Sequence, residues 1–106
     1  MIYELRRYEL NKPNKKHFYE RFQTKLLPIF DKYGFKVIGA WDVEDQAETI
    51  YILEWKDSET MKETWEIFHK DQEWIDIKAK SLKEHGVLVE DTHSILMNPT
   101  TYSPVK

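Results

Sequence analysis

The segment ETIYILEWK, residues 48–56, constrains the fold more than any other stretch of the chain. Successive side chains of a strand point to opposite faces. As a strand it therefore carries Ile50 and Ile52 on one face and Tyr51, Leu53 and Trp55 on the other. Both faces are apolar. The preceding segment, FKVIGAWDVE at 35–44, reads as a second strand. There Phe35, Val37, Gly39, Trp41 and Val43 share one face, while Ile38 and Ala40 take the other. Asp45 to Ala47 makes the turn between them, so the pair is an antiparallel hairpin. A sheet covered on one side alternates apolar with polar residues. This hairpin does not, so each of its faces needs its own cover.

The first cover is helical. From residue 15 to 33, Phe18, Phe22, Leu26, Phe30 and Tyr33 recur at helical spacing and form one apolar stripe. Asn14 is the expected N-cap and Gly34 the expected terminator, with a kink or break at Pro28. Asp57 and Ser58 can cap a helix over 59–70 that buries Met61, Trp65 and Phe68. Asp71 can cap a second helical segment, 72–84, that uses Trp74, Ile75, Ala79 and Leu82 and ends at Gly86. Strands at 2–10 and 87–97 complete the order βαββαβ. That order predicts an α+β, ferredoxin-like domain spanning residues 1–106, with one four-stranded antiparallel sheet and helices on one face. Residues 98–106 contain Pro99 and Pro104 and are expected to be an irregular tail.

The second cover is expected to be another copy of the chain. A bare face holding a leucine and two large rings is unusual on a monomer, and two-fold pairing is the simplest way to bury it. We expect a homodimer with the sheets face to face and Tyr51, Leu53 and Trp55 at the contact. On alternation alone the reverse assignment stays open. Composition agrees: four Trp, six Tyr and five Phe in 106 residues exceed what one small core readily holds.

Other classes drop out. The chain has no cysteine, which excludes disulfides, thiolate metal sites and thiol nucleophiles. Its net charge is −3, against a nucleic-acid footprint. No apolar run is long enough to span a membrane. The opening MIYELRRYEL is charged throughout, unlike a signal or transit peptide, so the expected location is cytoplasmic.

Four stretches, YELRRYEL, LPIFDKYGFKVIGAW, DQEW and ILMNPTTYSP, resemble in order and spacing the NIPSNAP family, over nearly the whole chain. The resemblance implies a dimeric α/β barrel, in which two ferredoxin-like sheets close on each other. It implies kinship with cofactor-independent monooxygenases, haem-degrading enzymes and stress-responsive barrel proteins, but no settled reaction. In animals the family is linked to vesicle and mitochondrial roles. The haem-degrading relatives carry an axial histidine on the second helical region. The comparable stretch here, WIDIKAK, has none, which argues against haem.

Three residues are candidates for catalysis. His69 follows Trp65 by four positions, so the two can share a helix face beside a helix–sheet pocket, with the imidazole as acid or base. His93 shares a strand face with Asp91, a pair able to fix a tautomer. Arg6 and Arg7 point to opposite faces, and the one inside needs a carboxylate or a bound anion. The family's YELR pattern selects Arg6. Trp65 and Tyr51 are expected to line the pocket. Four separated histidines suggest no metal, and three glycines give no phosphate cradle. The expected function is binding or transforming a small apolar or aromatic molecule without a cofactor. The competing reading is a non-catalytic dimeric interaction module, in which every unusual residue is core or interface.

Overall fold

The computed structural model describes residues 1–106. Strand β1 (Ile2–Leu10) leads through a 3-10 turn (Lys12–Asn14) into helix α1 (Lys15–Arg21). A π turn at Phe22–Leu26 carries α1 directly into α2 (Leu27–Lys32). Then come β2 (Lys36–Asp42), β3 (Glu48–Trp55), α3 (Ser58–His69), α4 (Gln72–His85) and β4 (Val89–Met97). All strand pairs are antiparallel, in the order β2-β3-β1-β4. The fold is therefore α+β and ferredoxin-like, a slab of 46 × 34 × 20 Å with one sheet and one helical layer. Residues 98–106 contain a turn and no helix or strand.

Local chemistry explains the joints. Pro28 has no N–H to offer the Thr24 carbonyl. The wide π turn just before it absorbs the misfit, so the helix continues instead of breaking. Asp57 caps α3 by accepting the Thr60 N–H at 2.7 Å, and Asp71 caps α4 by accepting that of Trp74 at 2.8 Å. Asp71 also accepts from Lys32 and from the Tyr33 hydroxyl, which ties α2 to α4. The Tyr33 hydroxyl and the Trp74 N–H hold its carboxyl down at about 2. This tie is intact above the ordinary carboxyl range and is lost as pH falls toward 2. Asn14 stands at the start of α1 without capping it. Its amide donates instead to the carbonyls of His85 and Val87, clasping the turn between α4 and β4.

The two sheet faces are assigned opposite to expectation. Tyr51, Leu53 and Trp55 are 1%, 0% and 4% exposed and lie under the helices. They are the centre of the core and not a dimer contact. The aromatic helix stripes need the larger hairpin set opposite them, so Ile50 and Ile52 turn outward. Strand β2 adds a second correction. A bulge between Val37 and Gly39 inserts one residue and reverses the alternation beyond it. Val37 thus lies opposite Leu53 on the helix side, while Gly39 and Trp41 lie opposite Ile52 and Ile50 on the outer side. The indole of Trp41 rests on Gly39, where an added Cβ would stand 2.6 Å from the ring.

The outer face is consequently an apolar belt. Leu5, Ile52 and Ile95 align across the three paired strands, with Gly39 opposite Ile52 on β2. Trp41 and Ile50 lie on one side of that row, Tyr3 and Met97 on the other. The chain exposes 7140 Å², against roughly 6,300 Å² expected of a monomer of this mass.

On the inner face sits a buried carboxylate. Glu4 is 2% exposed. It accepts the indole N–H groups of Trp55 and Trp65 on Oε1 at 3.1 and 2.9 Å. Ser94 and Arg6 donate to Oε2 at 2.6 and 3.2 Å. One side chain thereby joins β1, β3, α3 and β4. Replacing Glu4 by Ala strands the Arg6 charge and two indole donors in the interior. Urea denaturation should show a loss of about 3–5 kcal/mol, the usual result of breaking a buried pair. A loss below about 1 kcal/mol would rank the contact with surface ion pairs.

Candidate functional site

A cavity of about 280 Å³ lies between the helices and the sheet. Phe18, Phe22 and Phe30 come from the first helical run, Trp65 and Phe68 from α3, and Trp74 from α4. The rings meet mostly edge to face, as Phe30 does with Trp65 and Trp65 with Phe68. Arg6, Tyr8 and Thr92 present the sheet side. His69 and Lys78, both exposed, stand at the opening.

Arg6 is held before any ligand arrives. Its Nη1 donates to Glu4, and its Nη2 donates to the Tyr8 hydroxyl at 3.0 Å. The guanidinium lies 4.4 Å from the Trp65 ring centre, a cation–π contact. Tyr8 in turn shares a 2.7 Å hydrogen bond with Tyr51. Burial, followed by the neighbouring Tyr8, pushes the Tyr51 phenol well above its ordinary value, so it stays neutral. The Arg6 Nε is buried without a hydrogen-bond partner.

Arg6, His69 and Trp65 therefore meet at one cavity. His69 stacks on Trp65 with ring centres 5.6 Å apart, as four-residue spacing predicts. Tyr51 does not line this cavity. It lies behind it, supporting Tyr8, and faces a separate depression of about 190 Å³ beside Phe18 and Phe22. His93 is also elsewhere. It pairs with Arg7 across β1 and β4, which puts it on the outer sheet face, so it cannot join Arg6 and His69 around one ligand. Its Nε2 is 2.7 Å from Glu9 and 3.4 Å from Asp91. Glu9, Asp91 and His93 form the one cluster able to hold a metal, their ligand atoms within 4.8 Å of one another. Sequence reasoning paired His93 with Asp91 and missed Glu9, because only the β1–β4 register brings Glu9 opposite Asp91.

Arg21 is the other omission. It enters the cavity wall from α1, half-buried, and its guanidinium lies 5.9 Å from the Phe18 ring and 5.1 Å from that of Trp74. Burial lowers its pKa. Its i,i+3 and i,i+4 spacing from Phe18 and Lys25 gave no hint of this, since a cation beside an apolar stripe usually snorkels to water. A second groove, of about 310 Å³, runs between α1 and α4 past the stacked rings of His17 and His85, but Ile77 is its only apolar residue.

A family model for NIPSNAP matches residues 3–104. No curated protein matches the chain by sequence. Among solved structures, a NIPSNAP family protein from Agrobacterium tumefaciens superposes with a TM-score of 0.87 at 17% identity, covering 99% of this chain and 98% of its own. An uncharacterised NIPSNAP domain protein from Burkholderia xenovorans gives 0.81 at 19% identity, with 98% and 99% covered. An antibiotic biosynthesis monooxygenase shares the fold more distantly, with a TM-score of 0.65 at 10% identity, covering 94% of this chain and 99% of its own. No helix is long and apolar enough to cross a membrane.

Burial lowers the His69 pKa, with Lys78 and Arg6 as further causes, so the ring is neutral at pH 7. Histidine NMR titration should therefore place His69 below its ordinary value. Lys78→Met should move it upward. An unshifted His69 in both proteins would mean that the cavity's charges do not reach it.

Proposed function

The chain belongs to the NIPSNAP family, and on that premise we propose that it is a homodimer that binds a small apolar or aromatic molecule in the helix–sheet cavity without a resident cofactor. The observation that carries this reading is the cavity itself, walled by seven aromatic rings, with a fixed arginine on its sheet side and a neutral histidine at its opening. Its volume of about 280 Å³ sits just below the range usual for small-molecule sites. Chemistry without a cofactor requires the protein to activate its substrate directly. His69 is placed to take a proton at the opening, and Arg6 to stabilise the anion left behind. The shared fold with an antibiotic biosynthesis monooxygenase supports such a use of this architecture.

Trp65 and Trp74 line the cavity, so binding is read from their fluorescence. Small aromatic probes, neutral and acidic, should quench it saturably. Thr92→Trp, a change at an exposed lining position, should abolish the quenching at unchanged thermal stability. Quenching unaffected by Thr92→Trp would move binding away from this cavity. Absence of saturable quenching by every probe would leave the interaction-module reading in possession.

The homodimer rests on the outer belt. Trp41 and Ile95 are 52% and 53% exposed, and Leu5, Ile50 and Ile52 lie between them on the same face. Pairing this face with its own copy buries a patch that water disfavours. Light scattering should give twice the chain mass of 12.9 kDa. The double change Ile50→Asp and Ile52→Asp should yield a folded monomer, whereas Leu53→Asp tests folding only. A wild-type monomer at micromolar concentration refutes the dimer.

A further inference from the structure

We infer that the ligand of the helix–sheet cavity is an apolar carboxylate, its acid group seated on Arg21 and Lys78 and its apolar body among the rings. This deepens the small-molecule reading above and rests on it.

The cavity's charges are unbalanced. Among its lining residues are Arg6, Arg21 and Lys78, and no aspartate or glutamate. Arg6 is matched by Glu4 just outside the lining. Arg21 has no carboxylate partner, and its only side-chain hydrogen bond is a long one, 3.5 Å, to Ser81. Lys78 likewise forms no ion pair, although its ammonium stands 6.0 Å from the same Trp74 ring that Arg21 approaches. A half-buried guanidinium without an anion is costly, and burial lowers the Arg21 pKa as that cost requires. Elsewhere the chain matches its half-buried cations. Arg7 is paired with Glu48, and Lys15 with Asp42. Among the half-buried cations, the one left without a carboxylate is thus Arg21, at the cavity.

Geometry narrows the class. Arg21 is flanked by Phe18 and Trp74, and apart from the long Nη1 bond to Ser81 its planar fork has no partner, so it can offer the parallel hydrogen bonds that a carboxylate accepts. Arg6 spends both Nη atoms on Glu4 and Tyr8, but its Nε is a buried donor with no partner. Most of the remaining wall is aromatic or aliphatic, with Tyr8, His69 and Thr92 as its other polar side chains. A single carboxylate on a compact apolar body fits this wall.

Paired probes test this: 3-phenylpropanoate, indole-3-acetate and octanoate, each against its primary amide, by tryptophan fluorescence and calorimetry on the full chain at low salt. The acids should bind roughly tenfold or more tighter than their amides, the usual scale of a charge-assisted contact. That preference should weaken as salt is added. Arg21→Met should erase the preference while leaving the amides' affinity. Lys78→Met, at an exposed position, should reduce it and guards against a misfolded Arg21 variant. Equal binding of acid and amide overturns the carboxylate and leaves the cavity reading standing. A preference that survives both variants overturns the assignment to Arg21 and Lys78. No binding by any pair at millimolar concentration overturns the inference together with the reading beneath it.

Discussion

The tie that the rest of the structure depends on is the Glu4 carboxylate. A carboxylate in the interior is tolerated only when its oxygens are filled. Glu4 meets that demand with two indoles, a hydroxyl and a guanidinium. Each donor comes from a different part of the chain, so satisfying one charge fixes where β3, α3 and β4 stand against β1. It also fixes which face of the hairpin turns inward, because Trp55 must reach Glu4. The same contact sets Arg6 in place, stacked on Trp65, at the floor of the cavity. Structural stability and site geometry therefore share one group.

The sheet then has two apolar faces with different partners. The inner face receives the aromatic helix stripes, and their imperfect fit leaves the cavity. The outer face receives nothing within one chain. Cations follow the same division. On the outer face Arg7 is answered by Glu48, and on the inner face Arg6 by Glu4, but Arg21 is answered by no carboxylate. An uncompensated cation in an aromatic recess is a ligand-shaped deficit, since burial weakens the water that would otherwise solvate it.

Much of this was legible beforehand. The stripes of the first helical run and of α3, the Asp57 and Asp71 caps, the glycines at positive φ, and the βαββαβ order all follow from local rules, whereas of the stripe expected on α4 only Trp74 is buried and Ile75, Ala79 and Leu82 are exposed. So did the meeting of Trp65 with His69, which i,i+4 spacing dictates. The sign of the hairpin did not. Alternation divides Ile50 and Ile52 from Tyr51, Leu53 and Trp55 but is symmetric between the two faces, so choosing which set is inside needs the opposing surface. Trp41 was misassigned because a bulge leaves no mark on alternation that a normal strand would lack. His93 was grouped with Arg6 and His69 by chemistry, while the register separates them by the thickness of the sheet.

Sequence alone determined the elements, their order, the α+β class and the need for two covers on one sheet. These depend on periodicity and on turn and cap residues, which act over a few positions. Tertiary structure decided which rings are core, that Glu9 joins Asp91 and His93, and that Arg21 lines a cavity with no acid to meet it. Those facts depend on which distant segments come to lie opposite one another, and on the demand that each buried charge find a partner. No local pattern encodes either.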